Sequence, residues 1–178
     1  MTEQKTIEGC KRHDRTAQKH LWDAYADAML MVCMRYVKSL PDAEELMLNG
    51  FYNFFNKIDR FDYSGPGSVG PWLKKIMVNE CLAFLRKKGG LQLTPETGGM
   101  EVATDNDIIG RMSASEIYRY IIELPPGYRT VFNLYVVEGM SHKEIAGLLE
   151  ISEGTSKSQL NKARAMLQKR IINVQTDL

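Results

Sequence analysis

Apolar residues recur at helical spacing over most of this chain. Leu21, Tyr25, Ala28, Met29, Val32 and Tyr36 fall three and four apart, which predicts a first helix over about 14–38 with one apolar face. Pro41 suits the first turn of a second helix, and Leu46, Phe51, Phe54, Phe55 and Ile58 carry its pattern to about Asp59, interrupted only by Gly50. The run DYSGPGSVGP cannot sustain a helix, because its glycines and prolines break the pattern. Trp72, Leu73, Ile76, Met77, Cys81, Leu82 and Leu85 then form a third apolar face that ends at Lys87. Residues 1–88 therefore predict an antiparallel unit of three helices.

Periodicity fails in GGLQLTPETGGMEVATDND, whose Gly, Thr and acidic residues predict a flexible acidic linker over 91–111. Beyond it four helices are expected. Ile117, Tyr118, Ile121 and Ile122 mark one that Pro125 and Pro126 stop, and Tyr128 to Glu138 mark another that Gly139 can cap. Ser141 and Glu144 have the spacing of a capping box, opening a helix over 141–149. Ser152 is placed to cap the last helix, over about 154–172. The fold class is all-α, with two small helical domains at 1–90 and 112–178 joined by the linker.

Composition agrees and narrows the field. A chain of 178 residues with 44% hydrophobic and 25% charged residues has room for one ordinary domain or two small ones. No apolar run reaches the roughly 20 residues that span a bilayer, and the polar start MTEQKTIEGCKRHDR lacks the apolar stretch of a signal peptide. A cytoplasmic protein without membrane insertion is expected. Cys10, Cys33 and Cys81 show no CxxC spacing, and His13, His20 and His142 form no paired-ligand pattern. Neither a metal site nor a cofactor is expected. No nucleophile, base and orienting acid fall into a motif, so an enzyme is not expected either.

The net charge of +1 conceals strong segregation. Residues 42–62 carry a net −3, residues 71–90 a net +4, residues 91–110 a net −4 and residues 154–172 a net +5. Two basic segments thus flank an acidic one, a distribution that invites a nucleic-acid reading.

The helices at 141–149 and 154–172, with a short turn between them, have the lengths of a helix-turn-helix. Ile145, Ala146 and Leu149 would pack on Ile151, Leu160, Ala163 and Leu167. Lys157, Ser158, Gln159, Lys162 and Arg164 would then lie largely outward, as donors to phosphates or base edges. A merely solvated basic helix fits the charge equally well; the capping box and turn spacing favour DNA. In the first unit, Phe61, Tyr63 and Trp72 accompany a basic helix, a combination suited to unpaired bases. Trp72 also fits the core, and Asn79 reads equally as a contact to a base edge or as a structural amide.

The runs DAEELMLNGFYNFFNKIDRF, PWLKKIMVNECLAFLRK and ELPPGYRTVFNLYVVEGMSHKEIAGLLEISEGTSKSQLNKAR resemble the two blocks of extracytoplasmic-function (ECF) sigma factors of the sigma-70 family. The resemblance covers about residues 20–170. It implies a transcription-initiation subunit that catalyses nothing itself. Its first domain would bind the β′ clamp helices of core RNA polymerase and melt the −10 promoter element. The second would read the −35 element and touch the β-flap, and an anti-sigma factor would be a further partner. Carried over by position, the resemblance places Asp42, Glu45, Asn49 and Phe51 at the polymerase. It places Phe61, Lys74, Lys75, Asn79, Arg86 and Lys87 at the −10 strand, with Phe61 and Asn79 lining a pocket for a flipped base. Lys157, Ser158, Gln159, Lys162 and Arg164 go to the −35 element, and the acidic linker would imitate RNA in the polymerase cleft.

The chain departs from the family pattern in three places. Leu48, Asn49 and Gly50 stand where Gln, an acid and an apolar residue are common; the loop before Trp72 is longer; and Ser156 and Gln159 replace Val and Arg. The competing readings are a stand-alone helix-turn-helix regulator and a helical protein-interaction module. A second nucleic-acid face with aromatics in the first unit separates the sigma factor from the stand-alone regulator.

Overall fold

The structure is a computed structural model that describes residues 2–89, 91, 93 and 113–176. It contains helices and turns, with no strand among the described residues. The chain divides into two compact units, Met1–Phe84 and Leu85–Leu178. Apart from residues 91 and 93, the acidic linker expected over 91–111 lies outside the described residues.

The first unit holds four helices, one more than the periodicity predicts: α1 (Glu3–Lys11), α2 (Arg15–Tyr36), α3 (Leu40–Asn56) and α4 (Val69–Lys87). The periodicity passes over α1 because its buried positions are Thr6, Ile7, Gly9 and Cys10, too few and too small to write an apolar stripe. A Cβ at Gly9 would stand 2.5 Å from the Ala17 Cβ, so these two small residues let α1 approach α2 closely. Asp14 accepts from the amides of Thr16 at 2.7 Å and Ala17 at 3.2 Å, which starts α2. Ser39 caps α3 in the same way through the Asp42 amide, with Pro41 in the first turn as expected.

The inner faces of α2, α3 and α4 meet in a core that includes Leu21, Val32, Tyr36, Leu46, Phe54, Leu73, Met77 and Leu82. Gly50 belongs to this core. A Cβ there would collide with the Met77 sulfur, so the break in the α3 apolar pattern makes room for the Met77 side chain of α4. The Asn53 amide donates to the Glu80 carboxylate at 2.7 Å and ties the same two helices. Beyond α3 a short 3₁₀ turn, Ile58–Arg60, leads into the loop over 61–68.

The second unit contains α5 (Ala114–Ile121), α6 (Pro126–Phe132), α7 (His142–Leu149) and α8 (Glu153–Thr176). Ser113 and Glu116 form a capping box at α5, and the expected box of Ser141 and Glu144 opens α7. In the latter the Glu144 amide donates to Ser141 Oγ at 3.2 Å and the Ser141 amide donates back to the carboxylate at 2.7 Å. Pro125 and Pro126 divide α5 from α6, and buried Arg129 closes that turn by donating to the carbonyls of Ile122 at 3.0 Å and Leu124 at 3.1 Å. After α6 the chain widens into a π-helical turn, Asn133–Val137, where the sequence predicts continuous α-helix. Gly139 then takes a left-handed conformation, φ +71°, and reverses the chain into α7.

Candidate nucleic-acid interface

In α4 the residues at 75, 79, 83 and 86–87 are spaced to share one side of the helix, and all of them are exposed. The structure thus brings Lys75, Asn79 and Lys87 onto one solvent face about 18 Å long, with Lys74 half-buried beside it, while the Arg86 guanidinium on the same side donates to the Leu148 carbonyl at 2.7 Å. Phe61 departs from expectation. Its ring is 5% exposed and packs on Trp72 at 4.9 Å, because a large apolar ring is more stable inside the unit than in water. Trp72 is half-buried and also meets Phe54 edge-on at 4.9 Å. Asn79 lies seven residues after Trp72 on the same side of α4, about 10 Å along the axis.

The α3 assignments divide by burial. Glu45 and Asn49 are exposed and Asp42 is half-buried, but Phe51 is 2% exposed and packs on Trp22 at 4.6 Å, so it cannot reach a partner. Leu48 and Tyr52 stand out in its place, 55% and 69% exposed. Glu44, Leu48 and Tyr52 recur at intervals of four and, with Glu45 beside them, make an apolar and acidic strip. The sequence signal for this strip was the complement of the α3 core positions, since an apolar residue off the buried stripe faces water.

The α7 and α8 helices form a helix-turn-helix whose turn includes Glu150 in a left-handed conformation, φ 57°. Ser152 accepts from the Thr155 amide at 2.9 Å, as expected of the cap of α8. Lys157 is exposed, and Ser158, Lys162 and Arg164 are half-buried. Gln159 is not outward: it is 1% exposed, on the side of α8 that carries Ser156, Leu160 and Ala163. The outward amide is Asn161, one turn beyond Lys157, and the sequence reading passed over it.

His142 couples the two helices. Its Nδ1 lies 2.8 Å from Ser156 Oγ, and its ring stacks on Tyr135 at 4.5 Å, with the Arg164 guanidinium 5.8 Å from the Tyr135 ring centre. Burial, and then the positive charges of Lys157 and Arg164, hold the imidazole below its ordinary pKa, with Glu153 opposing.

Two family models match the chain: Sigma-70 region 2 over residues 21–90, and Sigma-70 region 4 over residues 114–167. The ECF RNA polymerase sigma factor SigW of Bacillus subtilis is 28% identical, over 94% of this chain and 95% of its own. SigM of the same organism is 26% identical, over 87% and 92%. The chain belongs to the extracytoplasmic-function sigma factors of the sigma-70 family. As an RNA polymerase sigma factor it directs promoter-specific initiation, so its partners are RNA polymerase and promoter DNA. Among solved structures, CnrH in complex with the cytosolic domain of CnrY shares the fold, with a TM-score of 0.51 and 18% identity over 94% of this chain and 96% of that one. In this sigma factor α3 and α4 lie within region 2 and the helix-turn-helix begins within region 4, whereas α1 lies outside both matched segments. Among the described residues no helix is long and apolar enough to cross a membrane.

Proposed function

We propose that three surfaces divide the work of initiation in this sigma factor. The exposed strip of Glu44, Glu45, Leu48, Asn49 and Tyr52 on α3 docks core RNA polymerase, with Leu48 and Tyr52 as apolar anchors and the acids facing a basic partner. The face of Lys75, Asn79 and Lys87 on α4 holds the opened −10 strand, the cations on phosphates and Asn79 on a base edge. Phe61 supports Trp72 from the core and leaves the stacking surface to the half-buried indole. In the second unit Lys157, Ser158, Asn161 and Lys162 read the −35 element, and Arg164 flanks them. One observation carries this reading: each unit presents a separate exposed face of basic and amide side chains on one helix, where a stand-alone regulator needs one.

The solved relative CnrH is bound to the cytosolic domain of CnrY. By analogy, an anti-sigma factor is a further partner of this chain. Polymerase remains the catalyst, and the sigma factor supplies position and strand capture.

The test is transcription in vitro with purified core enzyme. Leu48→Asp together with Tyr52→Ala is expected to weaken core binding about tenfold or more, since central apolar anchors dominate such interfaces. Lys157→Ala is expected to leave core binding intact and to lower the salt slope of promoter binding by about 1 if the contact is to phosphate. Tight sequence-specific binding of duplex DNA without polymerase would instead favour the stand-alone regulator.

A further inference from the structure

The first helix has no part in the three surfaces, yet it reaches the loop between α3 and α4 at two separate places. Lys11 Nζ donates to the Phe61 carbonyl at 2.9 Å, at the start of the loop. Near its end the Gly67 amide donates to both carboxylate oxygens of Glu3, at 3.1 and 3.2 Å. These partners lie 50 and 64 residues apart in sequence, so neither bond follows from local chain geometry. Glu3 and Lys11 are eight residues apart, about 12 Å along α1, and this separation spans the loop from one end to the other.

The loop is built to need such support. Gly65 and Gly67 have φ of +127° and +86°, which other residues rarely adopt, and glycine is the residue most readily released from one conformation. Inside the loop the Ser68 amide donates to the Gly65 carbonyl at 3.1 Å. Just past the loop, Gly70 lies close to the Tyr25 ring of α2, so that an added Cβ would stand 3.4 Å from it. Tyr25 is itself tied to Glu3: burial, then the carboxylate charge and a hydrogen bond to it, push its phenol pKa up.

We propose that α1 is the anchor of this loop, with Glu3 and Lys11 as positioning residues that fix the conformation in which it approaches the −10 base ahead of the α4 face. The inference rests on the −10 reading of α4 given above and assigns to the N-terminal helix a part in promoter selectivity. A charge-assisted bond at Gly67 and an ammonium on the Phe61 carbonyl hold the two ends at fixed positions. Without them the Gly-rich segment samples many conformations, and the energy needed to capture an unstacked base is spent on ordering the loop.

The experiment uses the full chain with core polymerase and a library randomised at the −10 element. Glu3→Ala with Lys11→Met is expected to lower permanganate-detected opening about three- to tenfold and to flatten the −10 base preference. Core binding, −35 preference and melting temperature should hold, and Glu3→Gln, which keeps an acceptor, should restore most of the selectivity. In parallel, hydrogen exchange should show a protected Gly67 amide that loses protection in Glu3→Ala. An unchanged −10 preference and opening in the double variant would overturn the proposal. So would an unprotected Gly67 amide in the unaltered protein, or a loss of opening that merely follows lost core binding or lost stability. Lys75→Ala with Asn79→Ala is the companion arm: reduced opening there, with no effect of the α1 variants, rejects the anchor alone. Normal opening in that companion rejects the α4 reading itself.

Discussion

At position 159 a glutamine side chain sits inside the second unit, with Oε1 buried and without a hydrogen-bond partner among the described residues. A buried acceptor left unmade costs on the order of 1–3 kcal/mol, so an apolar residue of similar size should be tolerated or preferred. Gln159→Leu is therefore expected to leave promoter recognition intact and to raise the stability of the second unit by up to about 1 kcal/mol in urea denaturation. Had Gln159 been a DNA contact, the same change would weaken −35 binding instead. Asn161, exposed on the other side of α8, is where an amide-to-alanine change should cost affinity. The sequence could not separate the two, because polar side chains occupy both sides of this helix and the buried stripe is written partly in Ser156 and Gln159.

Among the elements, the helix-turn-helix depends on pH in a way that follows from His142. Its folded pKa lies below the ordinary 6.5, held there by burial and by Lys157 and Arg164, with Glu153 opposing and Tyr135 and Ser156 as its uncharged neighbours. As pH falls through 6.5 the unfolded chain takes up a proton before the folded one does, so stability is full above that pH and is lost below it. The capping-box carboxylates Glu116 and Glu144 have pKa values lowered from 4.5 by their bonds to Ser113 and Ser141, so their losses begin only in a more acid range. Urea denaturation followed by circular dichroism is expected to show the second unit weakening as pH falls below about 6.5, and His142→Gln should flatten that change. An unchanged slope in the variant would remove His142 as its source.

For the molecule as a whole, the probes are distributed unevenly. Both tryptophans, Trp22 and Trp72, and all three cysteines belong to the first unit. The thiols are buried; burial and the Asp14 charge push Cys10 up to about 11, while a hydrogen bond with Cys33 and burial raise Cys81. Alkylation at pH 8 is therefore expected to wait for opening of the first unit and to track tryptophan fluorescence. Ser141→Ala, which removes the α7 cap at a cost of about 1 kcal/mol, should lower the helix-unfolding transition without speeding alkylation. Faster alkylation in that variant would show that the two units do not open separately.

The sequence by itself determined the all-helical class, most helix ends and the segregation of charge. Apolar spacing, Pro41, Gly139 and the Ser141–Glu144 pair act within a few residues of chain, where local sterics and hydrogen bonds decide. Only the tertiary structure decided which side of each helix meets water. Phe51 and Phe61 went inward because the inner faces of α2, α3 and α4 offered apolar surface, and Leu48 and Tyr52 were left outside because that surface was filled. The π-helical turn that sets Tyr135 against His142, and the reach of Lys11 and Glu3 to loop residues 50 and 64 positions away, depend on contacts between distant segments. A periodic pattern fixes a helix and its stripe, but burial is settled by whatever packs against it, and that partner is not written in the stripe.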